Sequence, residues 1–312
     1  MAKTKDLEIP RRPFGRSGEL VSILALGGWH VGVPETDRDA VRLMHAAIDR
    51  GITFFDNAWD YNDGLSERRM GLATEDRRDK VFLMTKVCVH GRDARVAMRQ
   101  LEESLRRLRT DYLDLWQIHE VSFDNEPRSY FSRGGAVEAL TKAKEQGKVR
   151  YVGFTGHKDP SLHLEMLSHG YPFDSVQMPL NCFDGQFRSF EQRVLPEVIR
   201  QGIAPIGMKS LGGDARSVLS RTVTPADAIA YALSLPIATL VSGIDSMKIL
   251  EQNVRIARGF RAMSPRAMEA LRRKVAHRAA DGRFELYKIG ITFDGPESRK
   301  QHGLPPMEEV AN

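Results

Sequence analysis

The stretch F-F-D-N-A-W-D-Y at residues 54–61 contains the end of an apolar run, a carboxylate at Asp56 and a phenol at Tyr61. The run I-T-F-F has the length and the β-branched and aromatic composition of a buried strand. A polar loop follows it directly. An acid and a phenol that leave the end of one strand are typical of the active-site face of a parallel barrel.

Two further apolar runs end in a polar group. L-M-T-K at residues 83–86 ends in Lys86, and L-W-Q-I-H at residues 115–119 ends in His119. The intervals between the runs are long enough to hold a helix. Because the carboxyl ends of parallel barrel strands lie on one face, the acid, phenol, amine and imidazole are predicted to share one pocket.

The rest of the chain repeats the pattern of a strand followed by a helix. Strands are predicted at 23–26, 53–56, 81–86, 112–118, 149–155, 175–178, 204–208 and 239–242. Helices are predicted at 37–50, 66–72, 92–108, 136–145, 161–168, 191–200, 225–234 and 247–258. The first helix is predicted to begin at a cap at Thr36 or Asp37 and to stop before Gly51. Eight such units predict a parallel sheet that closes into a (β/α)8 barrel.

An open doubly wound sheet would show the same alternation. However, no G-x-G-x-x-G and no G-x-x-x-x-G-K-[ST] motif occurs in the chain, and no low-complexity linker divides it. We therefore expect one α/β domain over residues 1–312. It would consist of an N-terminal β-hairpin at about 12–23, a barrel at about 23–260 and a C-terminal extension at about 261–312.

Composition and charge exclude several classes of protein. With 41% hydrophobic and 28% charged residues, the chain can bury a full core. It has neither an apolar run long enough to span a membrane nor an apolar signal core. The formal net charge is +5, but the Lys and Arg residues are scattered among 41 acidic residues and do not form one block. This distribution argues against binding of nucleic acid and favours a small phosphorylated ligand. Cys88 and Cys182 are too few for a disulfide framework. A cytoplasmic protein with reduced thiols is expected.

Lys86 is the most informative of the four polar residues. Its ammonium would be partly buried, where it needs a partner or loses its proton, and Asp56 on the adjacent strand can supply a carboxylate. An ordinary buried salt bridge would explain this pair equally well. Taken singly, Asp56 could be a loop cap, Tyr61 a packing residue and His119 a hydrogen-bonded core residue.

Together, the four residues predict a proton donor. An ammonium near Tyr61 would lower the pKa of the phenol, and His119 could orient a carbonyl oxygen. As negative charge develops on that oxygen, the Tyr61 hydroxyl would donate a proton to it. None of the four is a covalent nucleophile, so the attacking species must come from elsewhere, and a hydride from a nicotinamide would serve.

With these motifs, the chain resembles the aldo-keto reductase superfamily from about Arg12 to Ala257. The resemblance is carried by the hairpin, L-G-G-W, D-N-A-W-D-Y with S-E downstream, T-K, Q-I-H, G-F-T-G-H, V-Q-M-P-L-N and G-M-K-S-L-G-G, all in family order. It implies an NAD(P)H-dependent reductase of aldehydes or ketones. In it Tyr61 would be the general acid, Lys86 and Asp56 would tune it, and His119 would orient the substrate.

The resemblance also implies how NADPH, or possibly NADH, would be held. Thr155 and Gln177 would contact the nicotinamide carboxamide, whereas Gly156 stands where the family commonly has Asn and loses one contact. His157 could compensate or be a solvated loop residue. Met208 falls where many members place a stacking aromatic ring. Lys209, Ser210 and Leu211 would line the pyrophosphate.

The adenosine end departs most from the family pattern. Gln252 and Asn253 match the pair that reads adenine. The positions where many members carry a Lys and an Arg for the 2′-phosphate hold Gly243 and Ile249 instead. Lys248 or Arg255 could take over that task.

The predicted partner is a small carbonyl substrate, and no nucleic acid or membrane is expected. Trp29, His30, Trp59, Val89 and His90 would form the pocket walls by resemblance, which suggests apolar or ring-bearing compounds. The extension could close over the pocket, pack beneath the barrel or reach a neighbouring subunit. Monomer and homo-oligomer both remain open.

Two other functions fit parts of the sequence. A barrel hydrolase could use His30, Asp56, His119 and His157 as metal ligands, although the H-x-H and clustered acids of such sites are absent. Some members of the resembled family are redox-sensing regulatory subunits that bind the cofactor and turn over slowly. The presence of all four residue types favours an enzyme without a metal.

Overall fold

Eight parallel strands close into a barrel in the computed structural model, which describes residues 8–88, 93–291 and 293–310. Strands β1 (Arg11–Pro13) and β2 (Leu20–Ser22) form an antiparallel hairpin before the barrel. The eight barrel strands are β3 (Leu24–Gly27), β4 (Phe54–Asp56), β5 (Phe82–Val87), β6 (Leu113–Ile118), β7 (Val149–Thr155), β8 (Ser175–Pro179), β9 (Ala204–Met208) and β10 (Thr239–Gly243). Around the barrel, β3 to β9 are paired in chain order, and β10 pairs with both β9 and β3. The predicted (β/α)8 barrel with an N-terminal hairpin is confirmed.

Helices connect the strands and continue beyond them. They are α1 (Gly28–Val31), α2 (Asp37–Asp49), α3 (Leu65–Thr74), α4 (Ala94–Leu108), α5 (Glu126–Phe131), α6 (Ala136–Glu145), α7 (Pro160–Ser168), α8 (Phe190–Arg193), α9 (Leu195–Arg200), α10 (Arg216–Leu219), α11 (Pro225–Ser234), α12 (Met247–Arg258), α13 (Pro265–Ala279), α14 (Leu286–Ile289), α15 (Pro296–Gln301) and α16 (Met307–Val310). Short 3-10 helices occur at 61–64, 78–80 and 184–186. None of the described helices is both long and apolar enough to cross a membrane.

The core has two layers because barrel strands are buried on both faces. All six residues of β5 and all six of β6 are buried. Inside the barrel, side chains such as Phe54, Phe82 and Met84 form one cluster, and a larger cluster fills the space between strands and helices. The antiparallel hairpin of β1 and β2 places Phe14 against the inner cluster, with its ring centroid 4.8 Å from that of Phe82.

Parallel register brings the predicted site residues to one face. Asp56 is opposite Gly27 of β3, Lys86 is opposite Gln117 of β6, and Gln177 is opposite Thr155 of β7. These positions lie at or near the carboxyl ends of their strands.

The predicted helices are present, and they differ from the prediction in a few places. Thr36 is the cap of α2, where its side chain accepts a hydrogen bond from the Asp39 N–H. The helix predicted at 191–200 is two helices, α8 and α9, because Pro196 lacks an N–H and is accommodated only in the first turn of α9. The short helices α1, α5 and α10 lie in segments for which no helix was predicted.

The C-terminal extension reaches the face of the barrel that carries the strand ends. Nζ of Lys288 lies 2.7 Å from Oδ1 of Asp184 in the loop after β8, and 2.9 Å from Oε2 of Glu285. Asp294 pairs at 2.7 Å with Lys158, which follows β7. The sequence left open whether the extension closes over the pocket, packs beneath the barrel or reaches a neighbouring subunit. These contacts support the first of these locations, in which the extension closes over the pocket.

Candidate active site

Lys86 and Asp56 form the centre of the site. Nζ of Lys86 donates to Oδ1 of Asp56 at 2.8 Å and to the carbonyl oxygen of Asn57, also at 2.8 Å. Their side chains are 1% and 2% exposed, so each charge depends on the other for compensation. Gln177 adds a third contact, because its Nε2 donates to Oδ2 of Asp56 at 3.1 Å.

Tyr61 lies next to Lys86. The distance from Nζ of Lys86 to the Tyr61 hydroxyl is 3.4 Å, and the ammonium lies 4.9 Å from the ring centroid. A sharp turn directly follows Tyr61, since Asn62 and Asp63 both have φ of 53° and Gly64 has φ of 78°. A Cβ at Gly64 would lie 2.5 Å from Cζ of Arg107, so a larger residue would displace the Arg107 guanidinium and would be strained by the positive φ.

The expectation of a lowered pKa for Tyr61 is wrong for this structure. Burial raises the pKa of the phenol well above its usual value, and the nearby charges of Asp56, Asp60 and Glu120 raise it further. The ammonium of Lys86 does not reverse this effect, because Asp56 already compensates its charge. The phenol therefore holds its proton firmly in the absence of ligands.

His119 contacts Asp60, an acid that the sequence prediction did not include in the site. Nδ1 of His119 lies 3.3 Å from Oδ1 of Asp60, and the imidazole meets the Tyr61 ring edge-on at 5.5 Å. Burial disfavours ionisation of Asp60, but the charge of the neighbouring His119 outweighs burial, and the pKa of Asp60 falls to about 2. The structure thus brings all four predicted catalytic residues together.

A buried network beneath the Tyr61 loop was also missed. Glu67 is fully buried, accepts from the Thr85 hydroxyl at 2.6 Å and pairs with Arg107 at 3.1 Å. Arg107 in turn donates to the carbonyl oxygen of Trp59 at 2.8 Å. These contacts fasten the loop to β5 next to Lys86. The S-E pair at 66–67 was the only signal in the sequence.

At the ends of β7 and β8, two predicted carboxamide contacts lie side by side. Thr155 and Gln177 are paired in register and both are buried. Oε1 of Gln177 has no hydrogen-bond partner among the described residues. A Cβ at Gly156 would lie 2.5 Å from the carbonyl oxygen of Val121, so no side chain fits there and the commonly found Asn is sterically excluded.

The loop after β9 carries the predicted pyrophosphate residues. Met208 ends the strand and is half-buried, Ser210 is buried and Leu211 is half-buried. The Lys209 ammonium lies 4.5 Å from the ring centroid of Phe293 in the extension. Burial lowers the pKa of Lys209 to about 8, although the charge of Glu120 opposes the change.

The predicted adenosine residues are already engaged within the protein. Nδ2 of Asn253 donates to the Ser242 hydroxyl at 3.0 Å, and Nε2 of Gln252 donates to Oδ1 of Asn253 at 3.3 Å. At the end of β10, a Cβ on Gly243 would lie 2.4 Å from the imidazole of His30. His30 therefore fills the space that a lysine at this position would need, and it lies with the predicted cofactor residues.

The predicted pocket walls are only partly described. Trp29 is 51% exposed, and its ring meets that of His30 edge-on at 5.2 Å. Trp59 directs its indole N–H to Glu103 of α4, at 2.9 Å. Val89 and His90 lie outside the described residues.

The alternative set of metal ligands is not assembled. The carboxylate of Asp56 binds Lys86 and Gln177, and His30 lies against Gly243. Within the part of the chain that the structure describes, the one group of possible ligand atoms within 4.8 Å of one another comes from Asp60, Cys88 and His119.

An eight-stranded parallel barrel with an ammonium, a carboxylate, a phenol and an imidazole at the carboxyl ends of its strands defines a barrel enzyme with a site for proton transfer. The chain belongs to the aldo/keto reductase family of oxidoreductases, because the model described as "Aldo/keto reductase family" matches residues 23–228. The resemblance stated from the sequence is confirmed.

Individual relatives agree with this assignment. The aldo-keto reductase YhdN of Bacillus subtilis is 29% identical over 195 residues, a match of 58% of this chain and 55% of that relative, about half of its length. A 6-dehydroglucose reductase of Novosphingobium aromaticivorans is 30% identical over 294 residues, 84% of this chain and 93% of that protein. An aldo-keto reductase from Klebsiella pneumoniae, solved in complex with NADPH, has the same fold at a TM-score of 0.70, with 23% identity, 84% of this chain and 94% of that chain.

Proposed function

We propose that the protein reduces aldehydes or ketones to alcohols with NADPH, with Tyr61 as the general acid. The observation that carries this proposal is the buried Lys86 ammonium, which bridges the Asp56 carboxylate at 2.8 Å and the Tyr61 hydroxyl at 3.4 Å. The proposal includes one barrel domain with its hairpin and extension, and a cytoplasmic location. The two cysteines, Cys88 and Cys182, are both buried and are too few for a disulfide framework, which is consistent with that location.

The residues at the strand ends fit a nicotinamide. Oε1 of Gln177 is buried and has no hydrogen-bond partner among the described residues, so it could accept a hydrogen bond from a carboxamide N–H. Thr155 lies beside Gln177. Since the Klebsiella pneumoniae relative was solved with NADPH, the same cofactor is proposed here. When bound, it would supply the hydride. Gln252 and Asn253 are weaker candidates because their amides bond to each other and to Ser242.

The chain's own residues would control the proton. In the proposed mechanism, the Tyr61 hydroxyl and His119 hold the carbonyl oxygen of the substrate, and Asp60 keeps the imidazole in orientation. The raised pKa of Tyr61 keeps the phenol protonated until charge develops on that oxygen. The oxygen, as it becomes an alkoxide, is the stronger base and takes the proton. Lys86 then lies in position to stabilise the phenolate.

Tyr61→Phe tests the assignment of the acid. The variant is expected to bind NADPH within about threefold of wild type and to lose at least about 100-fold in kcat/KM for aldehyde reduction, since general acid catalysis contributes about 100-fold or more. Cofactor fluorescence titration and steady-state turnover measure the two effects. Tyr112→Phe is the matched control because Tyr112 is exposed and lies before β6, away from the strand ends. Full turnover in Tyr61→Phe would remove Tyr61 from the mechanism.

A regulatory protein would give a different result. It would bind NADPH tightly in wild type and turn over slowly with every aldehyde tested, and Tyr61→Phe would then change little.

A further inference from the structure

A second pair of titratable groups, Glu120 and His157, lies at the same strand ends and takes no part in the proposed proton transfer. Glu120 directly follows His119 after β6, and His157 follows β7. Oε1 of Glu120 lies 3.5 Å from Nε2 of His157, and the two side chains are 6% and 8% exposed. The barrel therefore brings an acid and an imidazole from two loops into one buried position.

The backbone at Glu120 is unusual. Its φ of +58° is in the left-handed region, which residues other than glycine rarely adopt. Such conformations are concentrated at functional sites, where the surrounding structure maintains them. Neither Glu120 nor His157 belongs to the set of catalytic residues predicted from the sequence.

The imidazole of His157 has hydrogen-bonding capacity to spare. Nε2 of His157 is buried and makes no hydrogen bond with any described residue. Burial, and secondarily the charge of Asp60, raises the pKa of Glu120 well above its usual range. Burial, together with the charge of Lys209, lowers the pKa of His157. The pair thus presents a carboxyl group and an imidazole with an unused ring nitrogen in one buried position, and both groups can form hydrogen bonds to hydroxyl groups.

The pair lies next to the proposed catalytic residues and under the extension. A Cβ at Gly295 of the extension would lie 3.6 Å from Oε2 of Glu120 and 3.8 Å from Oδ2 of Asp60. Asp60 contacts His119, the residue proposed to hold the carbonyl oxygen, so Glu120 lies near the proposed catalytic residues. His157 also meets the ring of Tyr287 in the extension edge-on, at 5.7 Å.

We propose that Glu120 and His157 bind hydroxyl groups next to the substrate carbonyl, so that the preferred substrates are polyhydroxylated, sugar-like aldehydes or ketones. The inference rests on the proposed reductase function and names its substrate class. It differs from the apolar substrates expected from the aromatic walls. A site with buried polar groups discriminates strongly against an analogue that lacks the matching hydroxyls, because those groups are then left unpaired.

Glyceraldehyde and propanal share a carbon skeleton and differ in their hydroxyl groups, so they test this inference. With NADPH as cofactor, wild type is expected to prefer glyceraldehyde by at least about tenfold in kcat/KM, calculated for the unhydrated aldehyde. Glu120→Gln and His157→Phe, which keep the side-chain shapes, are each expected to reduce this preference by about tenfold. The exposed Glu145→Gln is the matched control, for which the preference should equal that of wild type.

The possible outcomes are distinguishable. A wild-type preference for propanal, or variants that lose the same factor with both aldehydes, would overturn the inference and leave the reductase function intact. If wild type binds NADPH but reduces neither these two aldehydes nor any in a wider carbonyl panel, the proposed function itself fails. Titration of each variant with NADPH and its circular dichroism spectrum establish that a changed preference belongs to a folded protein.

Discussion

Buried charge at single residues dominates the chemistry of this site. Lys86 and Asp56 are almost inaccessible, and a charge buried without its partner costs several kcal/mol. This requirement explains why a lysine at the end of an apolar run already predicted a neighbouring carboxylate. The same reasoning failed for the pKa of Tyr61, because burial of the phenol has the largest effect, and Glu120, which follows a different strand, adds to it in a way that local sequence does not reveal.

Asp60 makes the stability of the folded chain depend on pH. Its pKa is about 2 in the folded state and about 3.9 in an unfolded chain. At pH values above the unfolded pKa, its ionisation therefore stabilises the folded state by about 2.6 kcal/mol. That stabilisation is lost as the pH falls through the folded pKa. About 1 kcal/mol of it should be gone at about pH 3.

Asp60→Asn should remove this dependence. Between about pH 5 and about pH 3, the free energy of unfolding of wild type should fall by about 1 kcal/mol more than that of the variant. Urea unfolding at each pH measures the difference. Asp76→Asn alters an exposed acid and should follow wild type. Parallel pH curves for wild type and Asp60→Asn would show that the pair with His119 adds no pH-dependent stability.

At the scale of elements, the strands were predictable and the extension was not. β7 and β9 have the predicted bounds because their residues are largely apolar and buried, and such runs are distinctive in sequence. The segment after α13 has no comparable periodicity. Its location depends on ion pairs to distant loops, such as Lys288 with Asp184, and a pair separated by about a hundred residues leaves no local pattern.

The same difference applies to the candidate site. Asp56, Tyr61, Lys86 and His119 were found because strand ends share one face. Glu67 and Glu120 were not assigned roles, since only the folded structure shows what each carboxylate contacts. The exclusion of a side chain at Gly243 likewise depends on His30, which lies in α1, far away in sequence.

Lys288 is expected to hold the extension to the barrel. Its ammonium is fully buried between Asp184 and Glu285, so Lys288→Met would leave two buried carboxylates without their cation. A loss of about 3 to 5 kcal/mol in the free energy of unfolding is expected, with faster proteolysis within residues 281–310. Urea unfolding and limited proteolysis measure these effects. Lys300→Met in α15 removes an exposed ammonium from the same extension and serves as the control. Equal stability of the two variants would contradict the anchoring role.

At the scale of the whole molecule, a cofactor across the strand ends would link many elements. The proposed contacts come from β7, β8, the loop after β9 and α12, so binding to the folded chain alone should raise the melting temperature of the entire barrel. The size of that increase reports affinity. It therefore distinguishes NADPH from NADH without any need for turnover.

Lys248 and Arg255 are not equivalent candidates for the 2′-phosphate. Both are exposed on α12, which begins at Met247 directly beyond the strand ends. Lys248 lies in the first turn, whereas Arg255 is seven residues further and therefore about 10 Å along the helix axis, away from that face. The geometry favours Lys248.

We therefore expect Lys248→Met to weaken NADPH binding by about tenfold, since one charge-assisted hydrogen bond contributes about 1.5 kcal/mol, and to leave NADH binding unchanged. Arg255→Met should bind both cofactors as wild type does. Thermal unfolding at matched cofactor concentrations, supported by fluorescence titration, measures both affinities. If Arg255→Met rather than Lys248→Met lost NADPH affinity selectively, the phosphate would have to lie along the outer surface of α12. If neither did, the 2′-phosphate would make no ion pair with α12, and NADH should then raise the melting temperature as much as NADPH.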